Sequence, residues 1–396
     1  MIRNKIRYVL RPFQQIADFV RLPGAAKAEY RADSRGLPAQ DPGVERAIDE
    51  GVAWLGRAQD HSASADGGVA RHYNLLSGWS TSYPETTGYI VPTMLEYAKL
   101  RGDESVRQRA RRMLDWLVSI QFPEGGFQAG LIDSTPVVPV TFNTGQILLG
   151  LASGVQEFGV YRESMCRAAD WLVKTQDPDG CWRRHRTPFA ALDDKTYETH
   201  VAWGLLEAAR LEPHKPYAQA ALANVHWALK RQRENGWFEG CCLTDPARPL
   251  THTLGYALRG IVEAYRFTKD KTVLDAALKT ANGLLTAIRE DGFVPGRLLP
   301  DWSGAVNWAC LTGSVQIAIC WFLLYQETGT VSYRDAARAV NRFVRRTMKV
   351  DGPLETRGAI KGSFPISGQY GTFQYLNWAC KFFIDSNMLE CTLGQR

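Results

Sequence analysis

Apolar and polar positions alternate along this chain of 396 residues in two recurring patterns. In one pattern, as in residues 104–119, apolar residues recur at helical spacing beside a face rich in Arg and Asp. In the other, as in "FNTGQILLGLASGV" (142–155) and "SVQIAICWFLLY" (314–325), nearly every position is apolar or small. An amphipathic helix buries one face, whereas a helix that is apolar all round is enclosed by protein. The alternation therefore predicts outer helices exposed on one side and inner helices buried on every side.

The outer helices share a repeated landmark. In "RAADWLVKTQDPDGCW" (167–182), Trp171 is followed by Gln176 and then by Gly180. The same spacing, complete or degraded, recurs at intervals of 55–62 residues, which accommodates one outer helix, a long loop and one inner helix. Six such units predict an all-α fold, the (α/α)6 toroid, with residues 43–396 as a single domain. The landmark positions are Trp54, Trp116, Trp171, Trp227, Gly283 and Phe343.

The predicted ring has a mouth suited to anionic groups. Inner helices of such a ring run parallel, so their N-termini surround one opening, and helix N-termini favour carboxylates and phosphates. A net charge of +6 agrees mildly with an acidic partner. No basic run interleaved with aromatic residues suggests nucleic-acid binding. We therefore expect an anionic oligo- or polysaccharide to bind at the mouth, with no cofactor and no metal.

The N-terminal segment has a pattern of its own. Residues 1–22 place apolar residues at helical spacing among Arg and Lys, and residues 23–42 have the composition of a linker. The segment is either an arm docked on the domain or a basic amphipathic helix that contacts a membrane or a polysaccharide-synthesis complex. No apolar run is long enough for a signal peptide or a membrane span, and the eight cysteines lack a C-x-x-C pair. We expect a cytoplasmic protein, with peripheral contact at the inner face of the membrane as the sharper alternative.

Residues 167–182 resemble the QW motif of the squalene-cyclase and protein-prenyltransferase toroids. The matching positions include Arg167, Trp171, Gln176, Gly180 and Trp182. In that family the motif is structural and ties an outer helix to the next inner helix. The acidic D-x-D-D motif of the cyclases is absent, and the zinc ligands of the prenyltransferases cannot be assembled. An isoprenoid-acting enzyme is therefore the least favoured interpretation.

The chain as a whole is similar to a group of bacterial toroid proteins encoded with exopolysaccharide biosynthesis genes. The segments that carry this resemblance are "FNTGQILLGL", "QDPDGCW", "PLTHTLGYALRG" and "RGAIKGSFPISGQY". In fold that group is similar to polysaccharide lyases, glucuronyl C5-epimerases and (α/α)6 glycosidases. The resemblance implies a carbohydrate-active protein of exopolysaccharide biosynthesis or processing.

The main functional hypothesis is epimerase or lyase chemistry at C5 of a uronic acid. This chemistry needs a group that neutralises the carboxylate, a base that removes the C5 proton, and an acid. Each role has candidates at the starts of the inner helices or in the rim loops. The base candidates are His200 and His252, and the acid candidates are Tyr197, Tyr256 and Tyr370. The candidates for binding the substrate are Tyr83, Asn143, Gln146, Arg297, Trp302, Asn307, Arg357, Lys361 and Tyr370.

Two alternatives remain open. One is glycoside hydrolysis by paired carboxylates, with Glu85 in "YPETTGY" as the acid and Glu198, Asp301 or Asp194 as the base. The other is a scaffold that binds polysaccharide without catalysis. Thr, Asn and Glu at helix starts are also common capping residues, and Trp302 is either a loop anchor or a platform for stacking on sugars.

Overall fold

The structure, a computed structural model, describes residues 21–394, so the predicted arm of residues 1–22 falls almost entirely outside the described residues. Within residues 21–394, twelve helices form the two layers of a ring, and a further helix, α1 (Gly24–Ser34), precedes them. The outer helices are α2 (Val44–Asp60), α4 (Glu104–Ser119), α6 (Arg162–Thr175), α8 (Tyr217–Leu229), α10 (Lys271–Ala287) and α12 (Val331–Thr347). The inner helices are α3 (Pro84–Arg101), α5 (Thr141–Phe158), α7 (Thr199–Leu211), α9 (Thr251–Thr268), α11 (Leu311–Thr328) and α13 (Asn377–Gly394). The predicted (α/α)6 toroid is confirmed.

The ring closes through both layers. Inner helices pack side by side in chain order, and α13 returns to α3. Each later outer helix packs against the inner helix before it, and α2 packs against α13. Several of the joining turns are tight because Gly102, Gly159 and Gly329 adopt left-handed φ angles of 66–71° at the helix C-caps. The long loops therefore all lie at the other end of the ring, where the inner helices begin.

Short strands order the loops around that opening. The strands are β1 (His72–Asn74), β2 (Gly78–Trp79), β3 (Ala309–Cys310), β4 (Ser363–Phe364) and β5 (Gln374–Leu376). β1 pairs antiparallel with both β2 and β5, and β3 pairs antiparallel with β4. Because β5 runs directly into α13, its pairing with β1 joins the first unit of the ring to the last.

The glutamines of the repeated landmark connect consecutive outer helices. Gln176 Nε2 donates to the carbonyl oxygen of Gly180 in its own loop and to that of Ala220 in α8, both at 2.9 Å. This is a correction to the role implied by the resemblance, in which the motif joins an outer helix to the next inner one. Three further glutamines make matching contacts to the next outer helix: Gln59 to Arg109, Gln121 to Ser164, and Gln232 to Ala276.

We expect Gln176→Leu to lower the free energy of unfolding by about 1–3 kcal/mol, because it removes the donor shared by two carbonyl groups of adjacent units. Chemical denaturation of the full chain measures this change. Gln108→Leu is the matched control, since Gln108 is exposed on α4 and bonds only to Glu104 of the same helix. Equal losses in the two variants would contradict the role of Gln176 as a connector between units.

Helix α1 is a finding that corrects the expectation of a linker over residues 23–42. It carries two buried carboxylates, and Lys361 Nζ lies 2.6 Å from Glu29 Oε1 and 2.5 Å from Asp33 Oδ1. The second oxygen of Asp33 accepts a hydrogen bond from the Ile366 amide at 2.7 Å. The side chains of Glu29, Asp33 and Lys361 are each only 3–4% exposed. These contacts dock α1 onto the loop that precedes α13.

The remaining boundaries stay predictions, including the division into residues 1–42 and a toroid from residue 43. Across residues 21–394, none of the helices is both long and apolar enough to cross a lipid bilayer.

Candidate functional site

A cavity of about 350 Å³ opens where the inner helices begin. Four inner helices line it with the second residue of the helix: Glu85 on α3, Phe142 on α5, His252 on α9 and Trp378 on α13. Because these helices run parallel around a ring, equivalent positions lie at the same level. Tyr197 lines the cavity from the short 3-10 turn before α7. The volume falls within the range of small-molecule sites.

The carboxyl group of Glu85 lines the cavity and can carry a proton near neutral pH. Its side chain is buried, and the Tyr83 hydroxyl donates a hydrogen bond to Oε2 at 2.6 Å. Burial raises the pKa of Glu85 to about 7, although the hydrogen bond from Tyr83 and the charge of Arg71 oppose this shift. Near neutral pH the carboxyl group therefore exists in both the protonated and the ionised form, as a general acid requires.

His252 is neutral and oriented. Its Nδ1 lies 2.7 Å from Oε1 of Gln316 on α11. An amide oxygen can only accept, so Nδ1 carries the proton and Nε2 keeps its lone pair. Burial lowers the pKa of His252 to about 4, and the hydrogen bond with Gln316 opposes that shift only in part. The imidazole is therefore unprotonated at neutral pH and is able to accept a proton.

Tyrosine hydroxyls surround these two groups. The Tyr256 ring centroid lies 4.4 Å from that of His252, and its hydroxyl lies 3.3 Å from the hydroxyl of Tyr89. Burial raises the pKa of Tyr256 and of Tyr370 well above the usual range. Both therefore stay protonated and act as hydrogen-bond donors or acceptors.

Arg71 supplies positive charge at the cavity. Its guanidinium lies 4.8 Å from the centroid of the Trp378 ring, and Trp378 Nε1 donates to the Tyr370 hydroxyl at 2.8 Å. The hydrogen bonds of Arg71 go to neutral partners, Gln374 Oε1 at 3.3 Å and His72 Nδ1 at 2.9 Å. Burial lowers the pKa of His72 to about 4, so that ring is uncharged at neutral pH. Arg71 therefore brings to the cavity lining a positive charge that these two hydrogen-bond partners do not neutralise.

His200 lies beneath the floor of this cavity and does not line it. Its ring centroid is 4.5 Å from that of Tyr256, and Nδ1 pairs with Gln146 Oε1 at 2.6 Å. Both residues are almost fully buried. His200 supports Tyr256 from below, and Gln146 fixes His200, so neither touches a molecule in the cavity.

Among the predicted binding residues, Tyr83 and Tyr370 line the cavity, whereas Asn143, Arg297 and Asn307 do not. Asn143 donates to the Gln128 carbonyl at 2.7 Å, and the Arg297 guanidinium donates to the Arg248 carbonyl at 2.5 Å. Asn307 is exposed on the rim outside the cavity lining.

Three further predictions are corrected by long-range packing. Trp302 is a loop anchor, because its Nε1 donates to the Asn235 carbonyl at 3.0 Å and its ring lies over Gly283. Arg357 forms an ion pair with Glu50 on the outer helix α2. Lys361 is neutralised by the carboxylates of α1. None of the three lines the cavity.

The second carboxylate of a paired-carboxylate mechanism does not reach the cavity. Among the described lining residues, Glu85 is the sole carboxylate. Asp301 is exposed and accepts hydrogen bonds from Ser303, and Asp194 is held by Arg183 and Arg186. Glu198 is buried next to this cluster, and burial raises its pKa to about 8, but it lies outside the cavity.

Sequence reasoning missed Arg71, Phe142, Tyr89 and Trp378. The sequence could have indicated Phe142 and Trp378, because each is the second residue of an inner helix, as Glu85 and His252 are. Tyr89 occupies the sixth position of α3, as Tyr256 does of α9. Arg71 has no such signal, because it precedes a strand that only the tertiary pairing defines.

A second cavity, of about 240 Å³, lies deeper along the inner helices. Its charges are largely paired along single helices: Arg259 with Glu263 at 2.8 Å, and Lys381 with Asp385 at 2.5 Å. Within residues 21–394, no three His, Cys, Asp or Glu side chains are grouped as metal ligands. The mouth cavity is therefore the candidate functional site.

Comparison with known proteins gives a structural likeness and no sequence relative. No protein-family model matches the chain, and the comparison with curated proteins gave no match. A heparin-specific unsaturated glucuronyl hydrolase superimposes with a TM-score of 0.72 at 16% identity, over 89% of this chain and 98% of its own. The chain shares the toroid fold of carbohydrate-active enzymes.

Two other solved structures show how varied the chemistry on this fold is. A D-mannose isomerase matches with a TM-score of 0.69 at 10% identity, over 90% of this chain and 99% of its own. A GH76 α-mannanase from Bacteroides thetaiotaomicron matches with a TM-score of 0.63 at 12% identity, over 89% of this chain and 97% of its own. At these identities the likeness establishes the fold, and activity has to be argued from the cavity.

Proposed function

We propose that this chain is a glycoside hydrolase that acts on a uronate-containing saccharide, with Glu85 as the general acid. The observation that carries the proposal is a buried carboxyl group, with a pKa of about 7, in the cavity where the inner helices begin. Two of the structural neighbours are named as hydrolases of saccharides, which favours hydrolysis over epimerase or lyase chemistry. This order reverses the one expected from the sequence.

The residues of the cavity divide the reaction between them. Glu85 donates its proton to the glycosidic oxygen as the bond from that oxygen to C1 breaks. Nε2 of His252 takes a proton from the water molecule that forms the new bond to C1. His252 thus has the role that the paired-carboxylate hypothesis gave to a second carboxylate. Tyr256 and Tyr370 offer hydrogen bonds to sugar hydroxyls.

Arg71 supports a sugar acid as the substrate. A guanidinium binds a carboxylate through charge-assisted hydrogen bonds, and the present partners of Arg71 are neutral. The name of the heparin-specific neighbour describes a glucuronyl substrate. The proposal also includes an anionic oligo- or polysaccharide partner and a role in exopolysaccharide processing. It further includes a cytoplasmic location and membrane contact through residues 1–22.

Incubation with a panel of uronate-containing oligosaccharides tests the reaction class. New reducing ends without ultraviolet absorbance support hydrolysis. Absorbance from an unsaturated uronate marks a lyase instead, and solvent deuterium at C5 without that absorbance marks an epimerase. Either of the last two results overturns the hydrolase proposal.

The pH dependence of kcat/KM is expected to be bell-shaped, with an optimum between the two pKa values of the cavity. Activity falls as pH drops through about 4, because protonation of His252 removes the base. It falls again as pH rises through about 7, because ionisation of Glu85 removes the acid. Initial rates across the pH range measure both limbs. An acid limb unchanged in His252→Gln would contradict this assignment.

C5 chemistry is the second candidate, and one observation favours it. His252 is a neutral base whose ring lies 4.4 Å from that of Tyr256, so a base and a protonated phenol lie side by side. With Arg71 on the carboxylate, the same cavity holds the three groups that abstraction of a C5 proton requires. The deuterium and absorbance measurements above separate the two candidates.

A further inference from the structure

The mouth cavity contains two chemically different zones. Its ionisable and hydroxyl groups come mainly from the helix starts and from Arg71. The loops further out contribute large apolar side chains instead, namely Leu131, Phe189 and Leu243. Two loop hydroxyls, those of Thr187 and Ser134, also line the cavity, and the Ser134 hydroxyl accepts a hydrogen bond from the Leu131 amide at 2.9 Å. Polar chemistry is therefore concentrated at the inner end, and the outer zone is largely apolar.

The apolar zone continues onto the protein surface. Phe189 is 56% exposed although it lines the cavity, and Leu192 in the same loop is 94% exposed. The Ala191 amide donates to the Leu243 carbonyl at 2.8 Å, which places this loop beside the apolar lining. Val137, in the loop that carries Leu131, is 57% exposed. Scattered exposed apolar residues are ordinary. Here Phe189 belongs to the lining itself, and Leu192 and Val137 lie in the loops that carry the lining residues Phe189 and Leu131.

We infer that the substrate is amphiphilic: a saccharide attached to a hydrocarbon chain, with the sugar at the inner end of the cavity and the chain against Phe189 and Leu192. This inference rests on the proposed function, since it concerns the same cavity. A purely hydrophilic glycan leaving the cavity would place hydroxyl groups against Leu131, Phe189 and Leu243, where they lose hydrogen bonds to water. A hydrocarbon chain at the same place removes apolar surface from water on both sides.

Binding of alkyl glycosides of increasing chain length tests the inference. Isothermal titration of the full chain with methyl, butyl, hexyl and octyl β-D-glucuronides, all below their micellar concentrations, gives Kd for each. We expect Kd to fall roughly two- to fourfold for each methylene group that becomes buried. A parallel series of alkyl β-D-glucosides makes the result independent of the sugar's charge.

The double variant Phe189→Ser/Leu192→Ser is expected to lose most of this dependence. Leu100→Ser is the matched control, because Leu100 is 54% exposed near the C-terminal end of α3, away from the mouth. The control should keep the wild-type dependence on chain length. A dependence that persists unchanged in the double variant overturns the assignment of these residues.

Two further outcomes overturn the inference. In one, Kd does not change with chain length in the wild type, or the octyl compounds do not bind. In the other, the wild type binds plain phosphatidylcholine vesicles, the double variant does not, and Kd for the alkyl glycosides stays independent of chain length. That result identifies the rim as a membrane contact. The hydrolase proposal fails separately, through the absence of new reducing ends, and that result leaves the binding measurement intact.

Discussion

Replacement of Glu85 by Gln is expected to lower the kcat of saccharide hydrolysis by about 10²–10⁴-fold, the usual contribution of a general acid. Gln has nearly the same shape and still accepts the hydrogen bond from the Tyr83 hydroxyl, so the cavity keeps its form. It has no proton to give to the leaving oxygen. The variant should also lose the alkaline limb of the pH profile, because the group that ionises near pH 7 is gone.

Glu198→Gln is the matched control for this experiment. Glu198 is also buried, and burial raises its pKa to about 8, but it does not line the cavity. Its replacement should leave kcat near the wild-type value. A Glu85→Gln enzyme that keeps its rate within about tenfold of wild type, with its alkaline limb in place, would show that another group is the acid.

Lys361→Met is expected to destabilise the chain by about 3–5 kcal/mol, the usual effect of removing one partner from a buried ion pair. The substitution removes the buried cation that lies within 2.6 Å of both Glu29 and Asp33. Glu29 keeps its ion pair with Lys349, whereas Asp33 has no second cation among the described residues. The contact between α1 and the loop that carries Tyr370 should weaken. Chemical denaturation measures the free energy of unfolding, and hydrogen exchange of the α1 amides measures its docking.

Two further sets of substitutions serve as controls for this prediction. Arg101→Met breaks a pair with Glu45 and Asp49 in which the carboxylates are at least half exposed, so about 1 kcal/mol or less is expected. Replacing Glu29, Asp33 and Lys361 together with apolar residues should recover much of the loss, because no unpaired charge remains buried. Equal stability of Lys361→Met and Arg101→Met would contradict the role of the buried cluster.

Part of the candidate site followed from local sequence. Glu85 and His252 stand at the starts of apolar segments, and parallel inner helices bring such starts to one end of a ring. The same reasoning found Tyr83, Tyr197, Tyr256 and Tyr370, all of which line the cavity. It also singled out His200, which the structure places one layer deeper, because helix position sets the level of a side chain but not the direction in which it points.

The remaining predicted binding residues depended on distant contacts. Lys361 is a lone cation in a rim loop when the sequence is read locally, yet its partners are Glu29 and Asp33, more than 300 positions away. Trp302 is equally open to stacking on a sugar until Trp237 and Gly283 are placed against it. The same limit applies to Arg71, whose position at the cavity arises from the pairing of β1 with β5.

The sequence by itself determined the architecture, because amphipathic and all-apolar helices differ in periodicity and because a landmark recurring every 55–62 residues counts six units. Both patterns are local in the sequence, so they can be recognised without knowing how the helices pack. Only the tertiary structure decided which polar groups face the cavity, which are neutralised by distant partners, and which pKa values shift. Those properties follow from burial and from contacts between units, and a burial-raised pKa such as that of Glu85 has no counterpart in an unfolded chain.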